Sequence, residues 1–132
     1  MSSGASPAAR NAACAGTIAG ITHVSVHVGA ASNTGAGEAA GGSPAYARKP
    51  VTLGTPGAVG PLGASDQPAT DGVAWSGMLT FDVPAGSYLS WGTWGSSSGG
   101  AFYVSGDFPA PFAPTGQATM QFAIGVRVNI GA

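Results

Sequence analysis

The fold turns on Val73-Ala74-Trp75-Ser76-Gly77-Met78-Leu79-Thr80-Phe81-Asp82-Val83. Odd-numbered positions supply Val73, Trp75, Leu79, Phe81 and Val83, while most even positions are small or polar. Side chains on an extended chain point alternately to opposite faces, so this pattern predicts one strand with a buried face. Gly77 breaks the apolar row and marks a bulge or a close backbone approach. Pro84-Ala85-Gly86 then turns the chain, and residues 87–94 return as a second strand. That strand carries Tyr88 and Trp94 on one face and Leu89 and Trp91 on the other, so both of its faces are expected to be covered.

The same period recurs outward in both directions. Met120, Phe122, Ile124, Val126, Val128 and Ile130 share one face of a final strand, with a bulge expected near Gly125. Residues 101–105 read as a short strand. Residues 106–116 read as a loop, because Pro109, Pro111 and Pro114 fall there. Upstream, Val24, Val26 and Val28 alternate with His23, Ser25 and His27, and residues 46–53 form another strand with Pro50 at an edge or bulge. Residues 54–72 are crowded with Gly and Pro and form a long loop, of the kind that makes contacts. Ser6-Pro7 starts a helix over residues 8–19, with Ser as cap and Pro in the first turn. The expected fold is mostly β: an antiparallel β-sandwich or jelly-roll-like domain over residues 21–132, preceded by an arm with a short N-terminal helix over residues 1–20.

Composition narrows the function. Charged residues are 7% of the 132, against about 25% in an ordinary globular chain. Arg10, Arg48, Lys49 and Arg127 stand against Glu38, Asp66, Asp71, Asp82 and Asp107, for a net charge of −1. So little charge favours a surface occupied by partners over a free monomer. It excludes nucleic acid as a partner, since only Arg48 and Lys49 adjoin, and those two read as a solvated or interface pair. No run approaches the roughly 20 apolar residues of a membrane-spanning helix, so no membrane partner is expected. Cys14 is the only cysteine, which leaves no internal disulfide.

The residues that could carry chemistry are few. His23 and His27 lie about 13 Å apart along a strand, and Ser25 about 7 Å from each, which argues against a metal pair or a nucleophile–base pair. Asp66 and Asp71 lack the dense spacing of a calcium loop, and Cys14 reads as a small helix-face hydrophobe. No catalytic residue, cofactor or metal is therefore expected. The aromatic residues are divided between core and contact surface, and Tyr88, Trp91, Trp94, Phe108 and Phe112 are the candidate interface.

Several stretches resemble a family of small phage virion proteins described as tail-fibre, minor tail or capsid-accessory proteins. The resemblance runs through Asn11-Ala12-Ala13, Ile21 to Gly29, Thr34-Gly35-Ala36-Gly37-Glu38, Gly41-Gly42-Ser43, Tyr46-Ala47-Arg48 and Val51-Thr52. It resumes at Val83-Pro84-Ala85-Gly86, at Trp91-Gly92-Thr93-Trp94 and in the terminal apolar strand. Departures are Gly29-Ala30-Ala31-Ser32-Asn33, where such proteins commonly carry Gly-Asp-Pro, and an inserted Pro44. The resemblance implies a bacteriophage structural protein without enzymatic residues, made in the host cytoplasm and placed on the outer surface of the virion. The expected role is capsid decoration, as a homotrimer clamping neighbouring subunits of the major capsid protein. The alternative is a tail-fibre or tail-tip module that joins a tail protein and touches the host surface. Expected docking contacts are the N-terminal segment, the 54–72 loop and the 108–112 loop, with Tyr88, Trp91 or Trp94 at the trimer interface.

Overall fold

The computed structural model describes residues 6–31 and 34–127. Its elements are α1 (Pro7–Ile18), β1 (His23–His27), β2 (Lys49–Pro50), β3 (Val73–Trp75), β4 (Leu79–Val83), β5 (Tyr88–Trp94), β6 (Phe102–Phe112), β7 (Ala118–Phe122) and β8 (Gly125–Arg127). The fold is mostly β, with several antiparallel sheets and one short helix. Among the described residues the chain divides into two compact units, one of residues 6–20, 52–78 and 123–127, the other of residues 21–31, 34–51 and 79–122. The expected single domain over residues 21–132 does not coincide with this division, because residues 52–78 and the C-terminal segment group with the helix.

In the first unit, α1 starts where the sequence signals it. Ser6 Oγ accepts the Ala9 N–H at 3.1 Å, and Pro7 occupies the first turn, where its missing N–H costs nothing. The helix packs on β3 and β8 and buries Cys14, whose thiol donates to the Val126 carbonyl at 3.4 Å. Two polar side chains order the long Gly/Pro loop. Asn11 Oδ1 accepts the Gly72 N–H at 2.6 Å, while buried Gln67 accepts from Leu62 N–H and donates to Ser76 O.

The second unit holds a four-stranded sheet in the order β2-β1-β5-β6 and a separate β4–β7 ladder. β1 and β5 are interior strands, and Val24, Ser25, Val26 and His27 are all buried, so β1 is covered on both faces. Tyr46, Phe81, Phe122 and Phe108 form a chain of ring contacts at centroid distances of 6.2, 5.3 and 4.8 Å.

Four expectations need correction. The stretch 73–83 is two strands, since the chain breaks at Ser76–Met78. There Ser76 Oγ takes the Ile124 N–H at 2.9 Å, a side chain standing in for a backbone partner. The terminal strand likewise divides into β7 and β8, and residues 128–130 lie outside the described residues. The strand expected over 46–53 shrinks to two residues ending on Pro50, at an edge of the sheet. Residues 106–112, expected as a loop, continue the eleven-residue β6, which tolerates Pro109 and Pro111 because it is an edge strand with one free side.

Two glycines are required by aromatic rings on the facing strand. Gly125 pairs with Trp75, and a Cβ there would lie 2.6 Å from the indole. Gly106 pairs with Trp91, whose ring occupies the space a Cβ would need. Gly125→Ala and Gly106→Ala are each expected to lower unfolding free energy by about 1–3 kcal/mol through overpacking. Urea denaturation followed by tryptophan fluorescence measures this, and an unchanged midpoint for both variants refutes it.

Candidate functional site

The polar side chains that converge most closely lie in the second unit, around Glu38, Tyr46, Arg48 and Trp94. After β1 the chain loops out and returns. Val28 N–H donates to Gly37 O, Ala39 N–H donates to Val26 O, and Glu38 bridges His27. This return holds the Glu38 carboxylate in front of Arg48. Arg48 Nε and Nη2 donate to its two oxygens at 2.9 and 3.0 Å, the bidentate fork that matches guanidinium to carboxylate. Nη1 donates to Ser96 O at 3.1 Å and Gly99 O at 2.9 Å, and the guanidinium lies 4.0 Å from the centroid of the Trp94 ring. Only 6% of the Arg48 side chain is exposed, so of the solvated or interface pair expected with Lys49 the solvated alternative does not hold for Arg48.

Tyr46 completes the clasp. Its hydroxyl donates to Glu38 Oε2 at 2.9 Å and accepts the Val26 N–H at 3.1 Å. Burial opposes ionisation of Glu38. The hydrogen bonds from Arg48 and Tyr46, with the charge of Arg48, outweigh it and hold the carboxyl below its ordinary value. Burial pushes the Tyr46 phenol well above its ordinary value, and the negative charge of Glu38 adds to the rise. A cavity of about 370 Å³ lies beside the clasp, lined by Glu38, Tyr46, Arg48 and Ser97–Gly99 among others.

Behind Trp94 runs a buried relay. Its Nε1–H donates to Ser25 Oγ at 2.7 Å, and Ser25 Oγ stands 2.6 Å from His27 Nε2. His27 Nδ1 meets the Ala36 carbonyl at 2.9 Å, and a carbonyl only accepts. Nδ1 therefore carries the hydrogen, and Nε2 accepts from Ser25. This corrects the expectation that no serine–histidine contact forms. The backbone spacing of residues two apart is about 7 Å, but both side chains lie on one face and lean together. The geometry is that of an activated serine, with the histidine held by a third group. Access is what it lacks, since Ser25 and His27 are both 0% exposed. His23 stands apart, with Nδ1 2.8 Å from Thr22 Oγ1.

Elsewhere, Asp71 pairs with Arg10 at 3.6 Å, and burial raises the Cys14 thiol above its ordinary value. Among the described residues no group of three His, Cys, Asp or Glu side chains could hold a metal ion. Of the candidate interface residues, Tyr88 and Trp94 are 2% exposed and satisfied internally, Tyr88 by donating to Pro84 O at 2.7 Å. Neither presents a surface on the single chain. Trp91, Phe108 and Phe112 are half-buried, Trp91 over Gly106 and Phe108 edge-on to Phe122. Among the described residues, the large apolar side chains that do reach solvent are Val28, Val59, Leu62, Met78, Leu89 and Tyr103. Val59 lines a mostly apolar groove of about 530 Å³ in the first unit, with Thr52, Gly54, Pro61 and Trp75. The two charged members of the clasp were visible only as rare charges, while Trp94 was expected at an interface. Glu38 is the only glutamate in the chain, and Arg48 follows ten residues later.

No family model, no curated protein and no solved structure matches the chain. These comparisons overturn the descriptors that the resemblance supplied, namely bacteriophage, virion, capsid decoration, tail fibre and homotrimer, and none is carried further.

Two outcomes follow from this geometry. A carboxyl held low in the folded state stabilises it fully above the unfolded-state value near 4.5, and that contribution disappears as pH falls through the folded-state value. Glu38→Gln is therefore expected to cost about 2–3 kcal/mol at pH 7, less than a fully buried pair because Glu38 is partly exposed. The gap to the native protein narrows toward pH 3, and chemical denaturation at several pH values reads it; a gap independent of pH refutes the clasp. Fluorophosphonate probes, which react with activated serines, are expected to leave Ser25 unlabelled in the folded protein. Stoichiometric labelling there, located by peptide mass spectrometry, would overturn its assignment as a sealed structural group.

Proposed function

We propose that the chain is a non-catalytic structural protein that packs against the subunits of a larger protein assembly and clamps neighbours together. One observation carries this reading: an apolar groove lined by Val59, Pro61 and Trp75 lies in a unit that also exposes Leu62 and Met78. Val59 and Met78 are 50% and 54% exposed, in a chain with only nine charged residues, two of them locked in the clasp. Exposed apolar surface with little charge around it is the pattern of a surface that a protein partner covers. Clamping then acts by mass action, since a ligand that binds only the assembled state raises the cost of disassembly.

In the second unit we propose a sandwich, with the β4–β7 ladder as a layer over the four-stranded sheet. The contacts of Phe108 on β6 with Phe122 on β7, and of Phe122 with Phe81 on β4, support that closure. A hydrolase is the competing reading, favoured by the Ser25–His27 contact alone, and the complete burial of both side chains argues against it.

Gradient sedimentation of extracts from the producing cells tests the proposal. The native chain is expected in fast fractions, at a fixed ratio to one assembly protein. A Val59→Lys, Met78→Lys double variant is expected in the fractions of a free 12.7 kDa chain, with its melting temperature unchanged. A native chain that sediments alone refutes the reading, and so does a double variant that stays with the assembly.

A further inference from the structure

Asp71-Gly72 is the only place in the sequence where glycine follows an aspartate or an asparagine. Such a pair can modify itself. The Gly72 amide nitrogen attacks Asp71 Cγ, so that a C–N bond forms and a Cγ–O bond breaks. The carboxyl oxygen leaves as water, taking the carboxyl proton and the amide proton. Water then opens the five-membered succinimide. Opening at Cγ restores aspartate, and opening at the main-chain carbonyl leaves isoaspartate, with the backbone running through Cγ. The sequence of steps consumes no oxidant or cofactor. Glycine, which has no Cβ, hinders the attack least.

The first unit requires glycine at this position for other reasons. Val73 N–H donates to Thr70 O at 3.1 Å, and Gly72 has a φ of +76°. A hydrogen-bonded turn whose second central residue alone is left-handed is type II. α1 lies directly against it. A Cβ on Gly72 would lie 3.1 Å from the Cβ of Arg10, and Asn11 Oδ1 accepts the Gly72 N–H at 2.6 Å. The Asn11 amide also packs on Gly57, where a Cβ would come within 2.7 Å of Nδ2. The Asp71 side chain is half exposed, with Oδ2 3.6 Å from Arg10 Nη2, so water reaches the reacting carboxyl.

We propose that Asp71-Gly72 is an isomerisation site that α1 holds shut, with Asn11 capturing the amide that would attack. In a type II turn the first central residue has a ψ of about +120°, which sets the next nitrogen about 120° around the Cα–C bond from that residue's Cβ. Succinimide closure needs the two nearly eclipsed. Reaching that geometry rotates the Asp71–Gly72 peptide, which breaks the Gly72 bond to Asn11 and opens the Thr70–Val73 turn. With the helix docked the pair is inert. When the helix lifts, the turn is released, and the site reacts in proportion to the time it spends open. Isoaspartate adds a carbon to the main chain, so the lengthened turn no longer sets Val73 at the start of β3. The change persists after the helix returns. The inference rests on this turn and α1 alone and does not depend on the clamping role.

Prolonged incubation of the full chain at mildly acidic pH tests the proposal. Isoaspartate at residue 71 is counted by peptide mass spectrometry after digestion with an endoproteinase that cuts before aspartate but not before isoaspartate. The native chain is expected to accumulate it about tenfold more slowly in buffer than when unfolded in urea. Asn11→Ala is expected to raise the rate in buffer about fivefold, whereas Arg10→Ala, which keeps the Cβ against Gly72, stays within about twofold of native. Circular dichroism melting places each incubation equally far below the midpoint of its variant, so that global unfolding does not produce the difference. Amide exchange of the native chain needs no variant, and the Gly72 N–H is expected to be as protected as the interior amides of α1. A native rate equal to that in urea would overturn the proposal, as would a Gly72 amide that exchanges freely. So would an Asn11→Ala rate equal to native, or equal acceleration by the two substitutions.

Discussion

A guanidinium does not give up its proton inside a protein, so a buried arginine obliges its surroundings to supply acceptors. Arg48 has four directed hydrogen bonds, two to Glu38 and two to the carbonyls of Ser96 and Gly99, and an indole face beneath it. These partners come from the return of the 34–46 loop, from the β5–β6 turn and from β5 itself. One side chain therefore fixes two irregular segments against a regular one. The arrangement also solves a problem in the sheet. β2 pairs with β1 only at His23 and Val24, which leaves the next part of β1 without a strand on that side. The Tyr46 hydroxyl, Gly37 O and Ala39 N–H supply the missing partners, and Glu38 holds Tyr46 in place. Backbone groups that would otherwise be buried and unpaired are satisfied by a loop that the ion pair keeps folded.

Much of the regular structure was legible in local periodicity. The α1 cap and the alternation in β1, β4 and β7 follow from side-chain spacing along the chain; the cover expected on both faces of β5 does not, since Leu89 is exposed and Trp91 half-buried. Gly77 and Gly125 marked an irregularity near residues 76–78 and 123–124, but the full breaks there were not legible, because they depend on which strand lies opposite. Ser76 looks like any polar position in an alternating stretch, yet its hydroxyl accepts an N–H that a continuous ladder would have paired with a carbonyl. The extension of β6 through Pro109 and Pro111 was hidden for a related reason. Proline excludes a residue from the middle of a sheet but not from its rim, and position within a sheet is a non-local fact.

The candidate site was harder to read than the fold. Aromatic size singled out Tyr88 and Trp94 as contact residues, but both sit on β5, an interior strand, and strand order decided their burial. The informative signal was scarcity. In a chain nearly without charge, each charge needs a reason, and Glu38 and Arg48 flank a Gly- and Ala-rich loop that could bring them together. The exposed apolar residues Val59 and Leu62 escaped notice because neither belongs to a periodic stretch that would show where it points, and Met78 because it is the one large apolar residue on the otherwise small or polar face of 73–83.

Ser25, His27 and Trp94 show how little a catalytic distance means without its surroundings. A serine oxygen 2.6 Å from an imidazole nitrogen, with the other nitrogen anchored, satisfies the first geometric requirement of nucleophilic catalysis. The serine oxygen, however, already accepts the indole N–H of Trp94, and an acyl group approaching it would have to displace that donor in a space closed to solvent. A buried, fully satisfied network instead specifies one arrangement, because any shift of β1 against β5 would leave several polar atoms unpaired at once. Trp94 belongs to this network through its N–H and to the clasp through its face. The relay and the ion pair therefore act on the same strand, and together they fix the register in which β5 meets β1.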